Sequence, residues 1–233
     1  MRTHVRALVK VTSETLHLQG PVYDIGSFQV GGQEEISNLR PFFEGKEYVG
    51  CDLREGPGVD RIEDIAHLSM ADGVVGTVLV METLEHVEDP FTALREVRRV
   101  LRSDGVVIIS SAMDFPIHQI PHDYWRFTPA GFDLLLQGFP ARIIGTLGHP
   151  SNPHTVFGIG FKLSPPELSS LLQTMKAELG EDLKRIMQEE RIAAKAVRWL
   201  GRLLGFIPVV ARALHFALER STHFQLEMVA LTE

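Results

Sequence analysis

Short apolar runs alternate with amphipathic stretches along the first two thirds of the chain. "PVYDI" (Pro21–Ile25) is a short strand that ends at Gly26. "QEEISNLRPFF" (Gln33–Phe43) places Ile36, Leu39 and Phe43 at helical spacing. "EYVGCDL" (Glu47–Leu53) is a second strand with an acid at its end, and "VDRIED" (Val59–Asp64) a third, weaker one. "GTVLVM" (Gly76–Met81) is apolar throughout, as a buried central strand requires. "EDPFTALREVRRVLRSDG" then predicts a helix. Asp89 is its cap, Pro90 its first position, Leu94, Val97 and Leu101 its apolar face, and Gly105 follows its end. "VVIISS" (Val106–Ser111) is the fifth strand. Thr128 and Pro129 begin another helix, "ARIIGTLG" and "TVFGIGFK" are two further strands, and "HPSNPH" between them reads as a Pro-rich loop.

After Ser164 the pattern changes. Leu168, Leu171, Leu172, Met175, Leu179, Leu183 and Ile186 mark one amphipathic helix, and Ala193, Ala196, Val197, Leu200 and Leu204 a second. Arg191, Lys195, Arg198 and Arg202 form a basic stripe on the second. Gly205 and Pro208 break it, a third helical stretch runs to about Arg220, and "FQLEMVAL" alternates like a strand. The division is therefore a core of residues 1–163 and a helical extension of residues 164–233. Strands alternating with helices imply an α/β core with a mostly parallel sheet and helices on both faces.

Composition narrows the classes. The chain has 233 residues, enough to bury a sizeable core. A formal charge of −7 argues against a general nucleic-acid binder. The lone cysteine, Cys51, excludes an internal disulfide framework and a cysteine-based zinc site, and no metal is assigned. No apolar run is long enough to span a bilayer and "MRTHVRALVKV" lacks a signal-peptide cleavage pattern, so a cytoplasmic location is expected.

The chemistry concentrates after the strands. In a doubly wound sheet ligands bind at the C-terminal strand ends, near the point where strand order reverses. Gly26 turns the chain after the first strand. Asp52 ends the second, where a carboxylate can accept both hydroxyls of a ribose, and Asp64 follows the third, where it can accept from an adenine amino group.

The series "YDIGS…GG", "YVGCDL", "IEDIAHL" and "VLVMETLEHVEDPFTALREVRRVLRSDGVVIISS" resembles a class I S-adenosylmethionine-dependent methyltransferase of the type 11 kind, over roughly Val22 to Lys162. "LEHVEDP" and the helix after it are the most specific part. The resemblance implies a Rossmann-like seven-stranded sheet with a reversed last strand, and S-adenosylmethionine as cofactor. It assigns Asp24, Gly26, Ser27 and Phe28 to the first motif and Asp52 with Leu53 to the ribose. Asp64 and Ile65 fall to the adenine, and Met81, Glu82 and His86 to the strand-four side of the site. "HDYWRFTP" (His122–Pro129) is similar to a subset of bacterial members, some of which act on sugars, glycolipids or secondary metabolites.

One departure stands out. The family turn is Asp-x-Gly-x-Gly-x-Gly, and here Phe28 and Val30 occupy the second and third glycine positions, with Gly31 and Gly32 displaced downstream. Either the turn is reshaped so that Gly31 and Gly32 lead into the helix, or Phe28 fills the pocket. The first is favoured, since both acids and the strand-four motif survive.

The expected activity is methyl transfer, on oxygen, to a small-molecule, sugar or glycolipid-type acceptor. His118 and His122 are the candidate bases because imidazole titrates near neutrality. Tyr124, Trp125 and Arg126 are the candidate acceptor contacts, as flat walls and an anion fork. The alternative is a cofactor-less scaffold that binds a partner. The C-terminal helices have three destinations: the protein's own sheet, a homodimer interface, or, ranked last, an anionic membrane surface.

Overall fold

The computed structural model describes residues 2–118, 122–149, 151–203 and 225–232. Eight strands form one sheet in the order β3-β2-β1-β4-β5-β7-β6-β8. The strands are β1 (Val22–Ile25), β2 (Tyr48–Asp52), β3 (Arg61–Ile62), β4 (Val75–Met81), β5 (Leu101–Ala112), β6 (Ala141–His149), β7 (Asn152–Phe161) and β8 (Gln225–Thr232). Strands β1 to β5 run parallel, β7 is antiparallel to both β5 and β6, and β8 is antiparallel to β6. The order reverses between β1 and β4, so the crevice a ligand uses opens beyond Ile25 and Met81.

The eighth strand corrects the expected count of seven. "QLEMVALT" pairs with β6 over its whole length, and Met228 joins the core. The stretch from 164 to 203 is one helix, α5 (Leu168–Leu203), rather than two. Nothing between Ile186 and Ala193 breaks a helix, since the run contains neither glycine nor proline. Leu168, Met175, Leu179 and Leu183 bury its inner face in the same core. The third helical stretch lies outside the described residues, as do the side chains of the basic stripe.

Several boundaries moved for identifiable reasons. The expected helix 33–43 is split into α2 (Glu34–Ser37) and a 3-10 turn, Arg40–Phe43. Pro41 has no N–H for the Ser37 carbonyl, and it disfavours helical backbone at Arg40. Helix α3 (Pro90–Val100) is capped by Asp89, which accepts from Phe91 N and Thr92 N, but it ends before Leu101. Leu101 is already strand, and Gly105 sits where a Cβ would press on the Arg102 carbonyl at 3.0 Å. Helix α4 (Pro129–Leu135) is capped by Thr128 as expected. Of the expected loop "HPSNPH", His149 ends β6 and Asn152, Pro153 and His154 already belong to β7. An additional helix not among the expected elements, α1 (Thr3–Thr15), buries Val5, Leu8, Val9 and Thr12 at helical spacing. This helix packs beside α5, where Lys10 Nζ donates to Asp182 Oδ2 at 2.9 Å.

Candidate functional site

The turn after β1 is tight. Gly26 adopts φ 88°, and a Cβ there would stand 2.1 Å from Thr83 Oγ1. Thr83 is held by the Ile25 and Met81 carbonyls, to which its Oγ1 lies at 3.2 and 3.1 Å. The turn of β1 and the end of β4 are therefore in direct contact, and only glycine fits between them.

Phe28 is turned onto the β2–β3 loop. A Cβ on Gly56 would meet its ring at 2.3 Å, and the Arg54 guanidinium lies over it at 4.3 Å from the centroid. The neighbours of Phe28 are tied to the same loop. Ser27 Oγ donates toward the Cys51 and Gly58 carbonyls, and Gln29 N donates to the Pro57 carbonyl at 2.8 Å. Gly31 and Gly32 then form an open bend before α2, with nothing within 4 Å of a Cβ at either.

The expected ribose and adenine acids lie at the ends of β2 and β3. Asp52 Oδ1 accepts from Arg54 N at 3.0 Å and Arg54 Nε at 3.2 Å, while Oδ2 has no hydrogen-bond donor among the described residues. Leu53 beside it is 63% exposed, an apolar surface where a flat base can lie. Asp64 is half exposed; its Oδ1 accepts from Ala66 N at 2.9 Å and Oδ2 lies near His67. Ile65 is buried behind it. A glycine that no Cβ can replace, a carboxylate oxygen left open and an exposed apolar residue fit an adenosyl cofactor.

Asp24 is buried under the turn. Tyr48 Oη donates to its Oδ2 at 2.6 Å, and burial pushes its carboxyl up to about 6. It supports the site from beneath, with no open face for a ligand. Cys51 is a buried free thiol, pushed up to about 12 by burial.

On the strand-four side, Met81 is buried and Glu82 sits at φ 50°. Arg2 reaches across from α1 and pairs with Glu82. The same guanidinium donates to the His154 carbonyl and lies over the Phe115 ring. Glu85 is 1% exposed, its Oε2 accepts from Ser111 Oγ at 2.8 Å, and burial raises its pKa. The Glu85 carbonyl accepts from Tyr124 N at 2.8 Å, which pins the segment after β5 over the end of β4.

That segment brings the predicted acceptor residues together. The rings of His86 and His118 meet edge to face at 4.9 Å, and Phe115 meets His118 in the same way. His122 packs its ring on Tyr124 at 5.5 Å, and its carbonyl accepts from His86 Nδ1. Tyr124 and Trp125 are 46% and 41% exposed, with Trp125 Nε1 donating to the Val87 carbonyl at 2.8 Å. Arg126 is engaged internally: it forks onto Asp123 at 2.5 and 2.8 Å and donates to the Phe115 and Pro116 carbonyls. Its charge holds the Asp123 carboxyl well below the usual carboxylate range. As an anion fork it is thus already occupied by the protein's own acid.

Arg2, Ser111 and Asp123 join the site although no sequence motif pointed to them. The apolar spacing of Val5, Leu8 and Val9 was the available signal for the helix that carries Arg2. A cavity of about 280 Å³ lies elsewhere, against α4 and the β6–β8 edge, and none of the candidate site residues lines it.

The sheet order and the strand-end site define a class I methyltransferase fold. A model of the methyltransferase domain matches residues 31–109, which begins just past the reshaped turn and ends in β5. Among solved structures, the 1,6-didemethyltoxoflavin-N1-methyltransferase of Burkholderia thailandensis, with bound 1,6-didemethyltoxoflavin and S-adenosylhomocysteine, is similar at 17% identity. The match covers 69% of this chain and 79% of that one, with a TM-score of 0.55. A SAM-dependent methyltransferase from Archaeoglobus fulgidus is similar at 16% identity over 67% of this chain and 94% of that one, with a TM-score of 0.50. No curated protein matches the chain. Residues 31–109 thus match the methyltransferase domain, and the fold is that of S-adenosylmethionine-dependent methyltransferases. No helix among the described residues is long and apolar enough to cross a membrane.

Proposed function

We propose that this protein is an S-adenosylmethionine-dependent methyltransferase that methylates an oxygen of a small cyclic or glycosidic acceptor bound beside His118, Tyr124 and Trp125. The observation that carries the reading is the convergence of Glu85, His86 and His118 at the ends of β4 and β5, with the His122 carbonyl on His86 and Tyr124 and Trp125 bonded to the Glu85 carbonyl. A hydroxyl acceptor needs a base, and the imidazoles of His86, His118 and His122 lie at this end of the sheet. The exposed faces of Tyr124 and Trp125 suit the apolar face of a ring.

The cofactor supplies an electrophilic methyl group on a sulfonium. The protein's residues supply orientation and dryness. Gly26 and Thr83 shape the turn, Asp52 takes the ribose hydroxyls, Leu53 flanks the base, and Asp64 with the backbone of Ile65 takes the adenine edge. Met81 and Glu82 border the transferred group. His118 or His122 accepts the acceptor's proton as the new O–C bond forms. Asp123 orients His118: its Oδ2 accepts from His118 N at 2.8 Å and lies 3.3 Å from His118 Nδ1.

The alternative is a scaffold without cofactor, its turn filled by Phe28; the packing of that ring on Gly56 and Arg54 supports the reshaped turn over it. Calorimetry with S-adenosylhomocysteine tests cofactor binding directly. A panel of sugar, phenolic and amine acceptors, read by mass spectrometry, tests the acceptor class. Methylation confined to amines would overturn the oxygen assignment. Placement in the cytoplasm and a homodimer through the C-terminal helices complete the reading; light scattering of the full chain tests the dimer.

A further inference from the structure

Glu85, His86 and His118 form the side-chain set that divalent transition metals use. One ligand atom from each lies within 4.8 Å of the other two. Around a tetrahedral ion with bonds of 2.0–2.1 Å, adjacent donors stand roughly 3.4 Å apart. Closing the set thus takes about an ångström of side-chain movement.

The surroundings favour ligation over simple packing. A histidine ligand needs one nitrogen protonated and held by an acceptor, so that the other presents its lone pair. Both imidazoles meet that condition. His86 Nδ1 faces the His122 carbonyl. His118 Nδ1 lies 3.2 Å from the Pro116 carbonyl and 3.3 Å from Asp123 Oδ2. With Nδ1–H directed to those acceptors, each Nε2 carries the lone pair. The carboxylate is fixed too, by the Ser111 hydroxyl at 2.8 Å. Glu85 is 1% exposed, whereas both histidines are half-buried, which leaves a side of the cluster open to water or to an acceptor oxygen. The neighbouring cation, Arg126, is neutralised by Asp123, and Arg2 by Glu82.

We propose that Glu85, His86 and His118 bind one divalent transition-metal ion of the zinc class. Two imidazoles and one carboxylate with an open position match its preferred ligands. The ion ties the turn after β4 to the segment after β5. Its role in the reaction rests on the methyl-transfer reading above: an acceptor hydroxyl on the ion becomes more acidic. His118 is then a ligand, so the proton passes to His122. The O–CH3 bond forms as the S–CH3 bond breaks, and the sulfonium becomes a neutral thioether.

The test uses the full chain, stripped with EDTA and dialysed. Zn2+ is titrated by calorimetry, and Co2+ by its visible spectrum. The expected result is one equivalent of Zn2+ and an intense low-symmetry Co2+ band. At a hundredfold excess over Kd, Zn2+ should raise Tm by roughly 5–10 °C. Glu85→Gln, His86→Ala and His118→Ala should each weaken binding at least tenfold, whereas His17→Ala and His67→Ala should not. Far-UV circular dichroism of each metal-free variant checks folding. If Glu85→Gln does not fold, the two half-buried histidine variants decide. No saturable binding, or stoichiometric binding that survives His86→Ala and His118→Ala, overturns the site. S-adenosylhomocysteine binding is measured on the same samples. Its persistence without zinc binding sinks only the metal site, and its loss with zinc binding intact sinks the methyl-transfer reading.

Discussion

Arg2, at the start of α1, donates from Nε to Glu82 Oε1 at 2.7 Å and so ties the N-terminal helix to the end of β4. Glu82 is the one non-glycine residue at positive φ among the described residues. The ion pair is largely shielded, with the two side chains 22% and 14% exposed. The end of β4 is thus fixed from the far side of the chain, a few residues from Glu85 and His86.

Arg2→Ala should therefore destabilise the protein by about 1.5–3 kcal/mol, the range for hydrogen bonds to charged groups. Urea unfolding measures it, and a double cycle with Glu82→Gln isolates the pair. A coupling energy indistinguishable from zero would show that Arg2 acts only through Phe115 and the His154 carbonyl.

Gly26→Ala should abolish S-adenosylhomocysteine binding in calorimetry. The new Cβ meets Thr83 Oγ1 at 2.1 Å and Cγ2 at 2.9 Å. Adding Thr83→Ala removes both atoms but leaves the left-handed backbone, which costs a residue with a Cβ roughly 1–2 kcal/mol. The double variant should recover part of the affinity. Full affinity in the single variant would show that the turn yields.

Asp52→Ala should weaken S-adenosylhomocysteine binding by about 1.5–3 kcal/mol, or roughly 10- to 150-fold. Asp52→Asn keeps the acceptor that holds Arg54 N and should fall between. Parental affinity in both would move the ribose elsewhere.

Asp24 gives the protein a stability that depends on pH. Its folded carboxyl titrates at about 6 against an ordinary 3.8, because it is buried. The folded state holds this proton more tightly. The contribution is therefore complete below pH 3.8 and is lost as pH rises through 6. The loss is on the order of 3 kcal/mol between pH 4 and 7. Asp24→Asn, which still accepts from Tyr48, should flatten that part of the curve of unfolding free energy against pH. An unchanged slope in the variant would assign the dependence to other groups.

Truncation after Lys162 should yield aggregated protein by light scattering. The cut removes Leu168, Met175, Leu179, Leu183 and Met228 from a core shared with α1 and uncovers the edge of β6. A monodisperse truncated monomer with native circular dichroism would show that the first 162 residues fold alone.

The chain's local chemistry was enough to read much of this. Apolar runs of four to seven residues reported the buried parallel strands, because such strands are covered on both faces. Asp89–Pro90 and Thr128–Pro129 reported two helix starts, because a cap and a first-turn proline act within three residues. Gly26, Asp52 and Asp64 could be proposed because each follows its own strand directly. What tertiary structure decided were relationships between distant segments. Phe28 could line a pocket or leave it by its own sequence; Gly56 and Arg54, 28 and 26 residues away, provide the surface that takes its ring. Arg126 reads as a free fork until Asp123, with Phe115 and Pro116 behind it, occupies its donors. The eighth strand depended on β6 offering an open edge, since a strand buries its backbone groups only against a partner. The meeting of Glu85 and His86 with His118 belongs to that second kind. Hydrogen bonds from Tyr124 and Trp125, 39 and 40 residues on, to the Glu85 carbonyl close this loop of chain into one site, and no periodicity along the sequence records that closure.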